Sequence, residues 1–120
     1  MAYSIKVEAN FSSAHNLRGY KGNCEDLHGH NWRVKICVKS KELDNIGMLL
    51  DFKYLKKKLN AELEKMDHKY LNKLSFFKKV NPTSENIARY IYANLKNRIP
   101  SLYSVTVWES DKASATYYAK

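Results

Sequence analysis

At 120 residues with 44% hydrophobic content, the chain reads as a single domain (1–120), long enough to bury a core without disulfide staples. No apolar run approaches bilayer-spanning length and residues 1–6 carry no apolar signal core, so the sequence reads as soluble and cytoplasmic, with no membrane partner. The net charge of +9 suits a polyanion such as a triphosphate, but its lysines crowd into 53–58 and 65–79 as solvated helix faces, and no basic-aromatic motif points to nucleic acid.

Residues 3–15 alternate, with Tyr3, Ile5, Val7, Ala9 and Phe11 on one side and Ser4, Lys6, Glu8 and Asn10 on the other, which predicts a strand. Continued alternation puts Ser13 and His15 on Phe11's side. Residues 16–24, with Gly19, Gly22 and Asn23, form a loop. A second strand over 28–40 puts Trp32, Val34, Ile36 and Val38 on the face that carries His28 and His30. Pairing the two strands antiparallel brings His15 towards that pair. After a turn at 44–47, Asp51 caps a helix in which Tyr54, Leu55, Leu59, Leu63 and Met66 recur at helical spacing, ending near 67–72. Thr83 or Ser84 caps a second helix with an Ile87, Ile91 and Leu95 stripe and Tyr90 beside it, stopped by Pro100. Residues 102–109 and 115–119 complete the set as strands. The order β-β-α-α-β-β predicts an α+β domain: an antiparallel four-stranded sheet with two helices on one face.

The chemistry concentrates at Cys24-Glu25-Asp26-Leu27-His28-Gly29-His30. His28 and His30 are two apart on an extended segment, so their side chains share a face, and Gly29 lets the backbone pass close to whatever they hold. With His15 they offer three imidazoles, the ligand set of a catalytic zinc site with an open position. Cys24 is either a fourth ligand or a reactive thiol beside the metal. Cys37, in an alternating apolar run, reads as a buried filler, and a Cys24–Cys37 disulfide is disfavoured in a reducing compartment. Asp67-His68 is a second polar pair, in which a carboxylate can orient an imidazole. Glu109 ends a strand as either a solvent-facing terminus or a ligand anchor. Arg18 and Lys21, the basic residues of the loop before Cys24, are the candidates there to meet a polyanion such as a triphosphate.

In order and spacing these segments resemble the 6-pyruvoyl-tetrahydropterin synthase family, and within it the bacterial 6-carboxy-tetrahydropterin synthases of queuosine biosynthesis. The resemblance rests on Phe11-Ser12-Ser13-Ala14-His15, Cys24-x-x-x-His28-Gly29-His30, Leu50-Asp51-Phe52, Met66-Asp67-His68, Asn81-Pro82-Thr83-Ser84-Glu85-Asn86 and the strand ending in Glu109. Met66 stands where the family more usually has Leu. The three-residue gap between Cys24 and His28 resembles the carboxy branch. The resemblance implies a tunnelling fold (T-fold) assembled as a homohexamer of two trimers. It implies zinc (Zn2+) on His15, His28 and His30, proton transfer by Cys24, Asp67 and His68, and a pterin held by Glu109, with Thr83 and Ser84 lining its pocket. The implied substrate is 7,8-dihydroneopterin triphosphate, yielding 6-carboxytetrahydropterin, acetaldehyde and triphosphate. The alternatives are the sister activity, 6-pyruvoyl-tetrahydropterin synthase, and a non-catalytic zinc- or pterin-binding protein.

Overall fold

The computed structural model describes residues 2–20 and 26–118, so Cys24 and Lys21 lie outside the described residues. Two long strands, β1 (Tyr3–His15) and β2 (His28–Ser40), form the expected antiparallel ladder. Their register runs unbroken from Tyr3 opposite Ser40 to His15 opposite His28. Burial pins it: Val7, Phe11, Ser13 and His15 of β1 and Trp32, Val34, Ile36 and Val38 of β2 are all buried, and a slip by one residue would expose one whole set. Cys37 is buried with a free thiol.

Helix α1 (Phe52–Glu64) starts where the Asp51 carboxylate accepts from the Lys53 amide at 2.8 Å. It buries Leu55, Leu59 and Leu63, one per turn. Tyr54, which periodicity adds to this stripe, stays 41% exposed and donates its hydroxyl to the Arg98 carbonyl. The helix ends before the predicted 67–72, because the Met66 and Asp67 amides fold back onto the Leu63 carbonyl and His68 turns left-handed at φ 56°.

The chain then enters β3 (Lys69–Tyr70), which runs parallel to β1 at Ser13 and Ala14. This is a fifth strand where four were expected. Two residues are too few to show a period. The strand exists because the Ser12 amide donates to Asp67 Oδ1 at 2.8 Å and the His68 amide donates to the Ser12 carbonyl at 2.6 Å, seating the segment on the edge of β1.

Two 3-10 turns (Leu71–Lys73 and Ser75–Lys78) lead to α2 (Ser84–Lys96), capped by the Thr83 hydroxyl accepting from the Asn86 amide at 3.1 Å. Strands β4 (Leu102–Ser110) and β5 (Ala113–Tyr118) complete a sheet in the order β3-β1-β2-β4-β5. Both helices cover one face, α1 against β1 and α2 against β4 and β5. Between the helices, the fully buried Glu62 accepts from Asn94 Nδ2 at 2.7 Å and Lys65 Nζ at 3.0 Å. No helix among the described residues is long and apolar enough to cross a membrane.

Trp32 ties this core to the histidine end of the sheet. It is fully buried, stacks on Phe11 at 5.8 Å between centroids, and donates its indole N–H to the Ser13 carbonyl at 3.2 Å. Trp32→Ala is expected to cost about 3–5 kcal/mol of unfolding free energy, the range for truncating a buried large aromatic, read as a lowered urea midpoint.

Candidate metal centre and its cavity

The β1–β2 register makes His15 and His28 cross-strand neighbours and sets His30 opposite Ser13. All three imidazoles therefore share the helix-covered face with Trp32. Their ring centroids lie 4.7 Å (His15–His28), 5.1 Å (His15–His30) and 4.7 Å (His28–His30) apart, each pair edge to face. Trp32 packs edge-on against His15 and His30 at 4.9 and 5.2 Å. A Cβ placed on Gly29 would meet only the Ser13 carbonyl, at 3.9 Å. Among the described residues, none approaches that position closely enough to demand a glycine.

The hydrogen bonds fix the tautomers. His15 Nδ1 lies 2.7 Å from the Pro82 carbonyl, and His28 Nδ1 lies 2.9 Å from the Asp26 carbonyl. A carbonyl only accepts, so each Nδ1 carries its proton, and each neutral ring presents a lone pair at Nε2. Those two nitrogens face each other at 3.1 Å. Two acceptors this close need a proton or a cation between them. His15 is 1% exposed, and burial holds its pKa below the ordinary 6.5, outweighing the opposite pull of the Pro82 hydrogen bond and the Glu109 charge. Burial therefore disfavours placing that proton on His15, and a cation fits between the two nitrogens.

Glu109 completes the cluster. Val105 and Val107 face the core, and the β4–β5 register shifts between Trp108 and Ser110, a bulge that aims Glu109 from the strand end. Its Oε1 comes within 3.1 Å of His30 Nε2, a buried nitrogen that makes no aligned hydrogen bond. One ligand atom from each of His15, His28, His30 and Glu109 falls within 4.8 Å of the others. Three imidazole nitrogens and a carboxylate oxygen suit zinc or a similar divalent ion.

Beside the cluster opens a cavity of about 340 Å³ lined by His15, Leu17, Tyr20, Thr83, Ser84, Glu85 and Glu109. Thr83 and Ser84 line this cavity, and the Thr83 hydroxyl also caps α2. Glu85 and Tyr20 were missed. An acid in a helix's first turn is ordinary for dipole reasons, so nothing in the sequence singled out Glu85. A larger cavity of about 460 Å³, bounded by Leu50, Tyr54, Arg98 and Pro100, contains no imidazole.

Other expected groups lie elsewhere. Asp67 and His68 are outside the cluster, anchored on the β1 edge. The His68 ring is 82% exposed, with Nε2 3.5 Å from Asp67 Oδ2. Arg18, considered for phosphate, donates Nη2 to the carbonyls of Phe77 (2.5 Å) and Val80 (3.0 Å).

A mainly antiparallel sheet backed by two helices, with three histidines and a glutamate converging beside a polar cavity, defines a T-fold domain with a candidate metal site. A family model described as 6-pyruvoyl tetrahydropterin synthase matches residues 4–120, and the chain belongs to that family. It is 37% identical over 121 residues to the 6-carboxy-5,6,7,8-tetrahydropterin synthase of Synechocystis sp., an alignment covering 96% of this chain and 92% of that one. Against the human 6-pyruvoyl tetrahydrobiopterin synthase it is 35% identical over 111 residues, covering 88% and 77%. The solved structure of Caenorhabditis elegans 6-pyruvoyl tetrahydropterin synthase superposes with a TM-score of 0.87 at 30% identity, covering 100% of this chain and 97% of that one.

The depressed His15 pKa makes stability pH-dependent. Below about 6.5 the unfolded chain protonates this residue while the folded, metal-free protein does not, so the unfolded state binds more protons and stability falls as pH falls. The urea midpoint of metal-free protein is expected to decline below pH 6.5, and His15→Gln to flatten that decline.

Proposed function

We propose that this chain is a zinc-dependent 6-carboxy-5,6,7,8-tetrahydropterin synthase of queuosine biosynthesis. It would convert 7,8-dihydroneopterin triphosphate to 6-carboxytetrahydropterin, acetaldehyde and triphosphate. The observation that carries this reading is the convergence of one ligand atom each from His15, His28, His30 and Glu109 within 4.8 Å, at the wall of a small polar cavity. The three-residue Cys24–His28 gap and the Synechocystis relative favour the carboxy product. The human relative keeps the sister pyruvoyl product as the second reading.

In this reading His15, His28 and His30 hold Zn2+, which when bound supplies Lewis-acid polarisation of the substrate's side-chain oxygens. The remaining work belongs to the chain's own groups. Glu109 accepts the two N–H groups of the pterin's guanidine-like edge, a bidentate match for a carboxylate. Thr83 and Ser84 line the ring's cavity. Cys24 and His68 move protons at the side-chain carbons, with Asp67 orienting His68.

His68 sits on a sheet edge away from its own chain's cluster, so its proton-transfer role requires a neighbouring copy's site. The described residues provide the means for such assembly. Among the described residues, the outer edge of β1 from Tyr3 to Phe11 pairs with no strand, and β5 pairs with β4 alone. Joining β5 of one copy to β1 of the next closes sheets into a ring and removes unpaired edges. A homohexamer of two such trimers follows the family resemblance.

Mass spectrometry after zinc-loaded protein meets dihydroneopterin triphosphate tests the assignment. Carboxytetrahydropterin with acetaldehyde is expected, a pyruvoyl product would move the chain to the sister activity, and no turnover with zinc bound would favour a binding protein. His28→Ala is expected to lose zinc and turnover together. Cys24→Ala should keep zinc, assembly and pterin binding while turnover falls about 10²–10⁴-fold, the usual worth of a proton-transfer group. Glu109→Ala should weaken pterin binding first.

A further inference from the structure

We propose that Asn81 is a positioning residue for the metal centre, holding the Pro82 carbonyl on His15 Nδ1 by locking onto the backbone of Arg18. This rests on the zinc reading above and extends it beyond the ligands.

After His15 the chain leaves the ladder, and the backbone groups of residues 16–18 need other partners. Two carboxamides supply them. Asn72 accepts from the Asn16 amide at 3.0 Å and donates to the Asn16 carbonyl at 2.8 Å. Asn81 does the same for Arg18, accepting from its amide at 2.9 Å and donating to its carbonyl at 2.7 Å. Each asparagine mimics an adjacent strand.

Only Asn81 connects this clamp to the histidine. Its own carbonyl accepts from the Thr83 amide at 2.9 Å and from Asn86 Nδ2 at 3.0 Å, which fastens it to the start of α2. Arg18 returns its guanidinium to Phe77 and Val80, tightening the same loop. Pro82 lies between Asn81 and the α2 cap, and its carbonyl takes the His15 Nδ1 proton at 2.7 Å. Anchoring the peptide on both sides fixes where that carbonyl points, and the carbonyl fixes which His15 nitrogen faces the metal. The task needs a donor and an acceptor on one short side chain. An aspartate would set an oxygen against the Arg18 carbonyl.

The test is zinc affinity of the full-length protein, measured by competition with a chromophoric chelator. Asn81→Ala is expected to bind zinc more weakly, by up to the about 10- to 100-fold that losing the outer partner of a metal-bound histidine costs. Its cobalt-substituted form should show a shifted visible spectrum. Asn94→Ala, which loses the hydrogen bond to Glu62 between the helices, serves as the control: it should lower the urea midpoint with zinc affinity unchanged. Should Asn81→Ala not fold, Asn81→Ser, keeping one of the two bonds, is expected to show an intermediate loss. Wild-type affinity in the folded Asn81 variant, or an equal loss in Asn94→Ala, would overturn the proposal. Wild-type protein that binds no zinc would instead overturn the zinc reading, and this inference with it.

Discussion

A slip of one residue between β1 and β2 would turn one strand's set, either Phe11 with His15 or Trp32 with His28, off the helix-covered face. The cost of exposing either Val7 and Phe11 or Trp32, Val34 and Ile36 is what forbids that slip, so the packing that stabilises the sheet also aligns the imidazoles. His15 and His28 sit at the last pair of the ladder. There the strands still impose alternation, but the chain beyond is free to turn towards other partners. Rigid placement on one side and an open cavity on the other follow from that position.

The centre brings four potential ligand atoms within 4.8 Å of one another. Carbonyls from two separate loops, Pro82 and Asp26, take the Nδ1 protons. Burial then keeps His15 from relieving the clash by protonation. Two acceptor nitrogens held this close are costly without positive charge between them, and a divalent cation would supply it. The same arrangement thus suits a bound cation.

Much of this was legible in the sequence because it is periodic. Strict alternation in 3–15 and 28–40 located both long strands and assigned the three histidines to one face. The Asp51 and Thr83 caps were readable for the same reason, since each precedes an apolar stripe at helical spacing. What escaped was non-periodic. Strand β3 is two residues held by Asp67 and Ser12, and Tyr54 followed the helical period yet bonds the Arg98 carbonyl at the surface. Arg18 looked available for phosphate only until its carbonyl partners 59 and 62 positions away came into view. Glu109 was noticed, but its approach to His30 depends on a bulge that no local pattern announces.

The left-handed turn at His68 connects these themes. A non-glycine residue at φ 56° is uncommon, and here it is held by the bond from its own amide to Ser12 and by the Asp67 carboxylate on the Ser12 amide. Those bonds place the ring outward on a sheet edge rather than into the core. A histidine needed only for folding would gain nothing from such a posture, whereas one serving an adjacent copy must project across the joint between sheets. The edge that β3 begins to cover is also the edge a neighbouring β5 would extend. On the proposed reading, assembly and catalysis therefore share one structural cause: the unpaired flank of β1 presents both the backbone that pairs and the imidazole that acts.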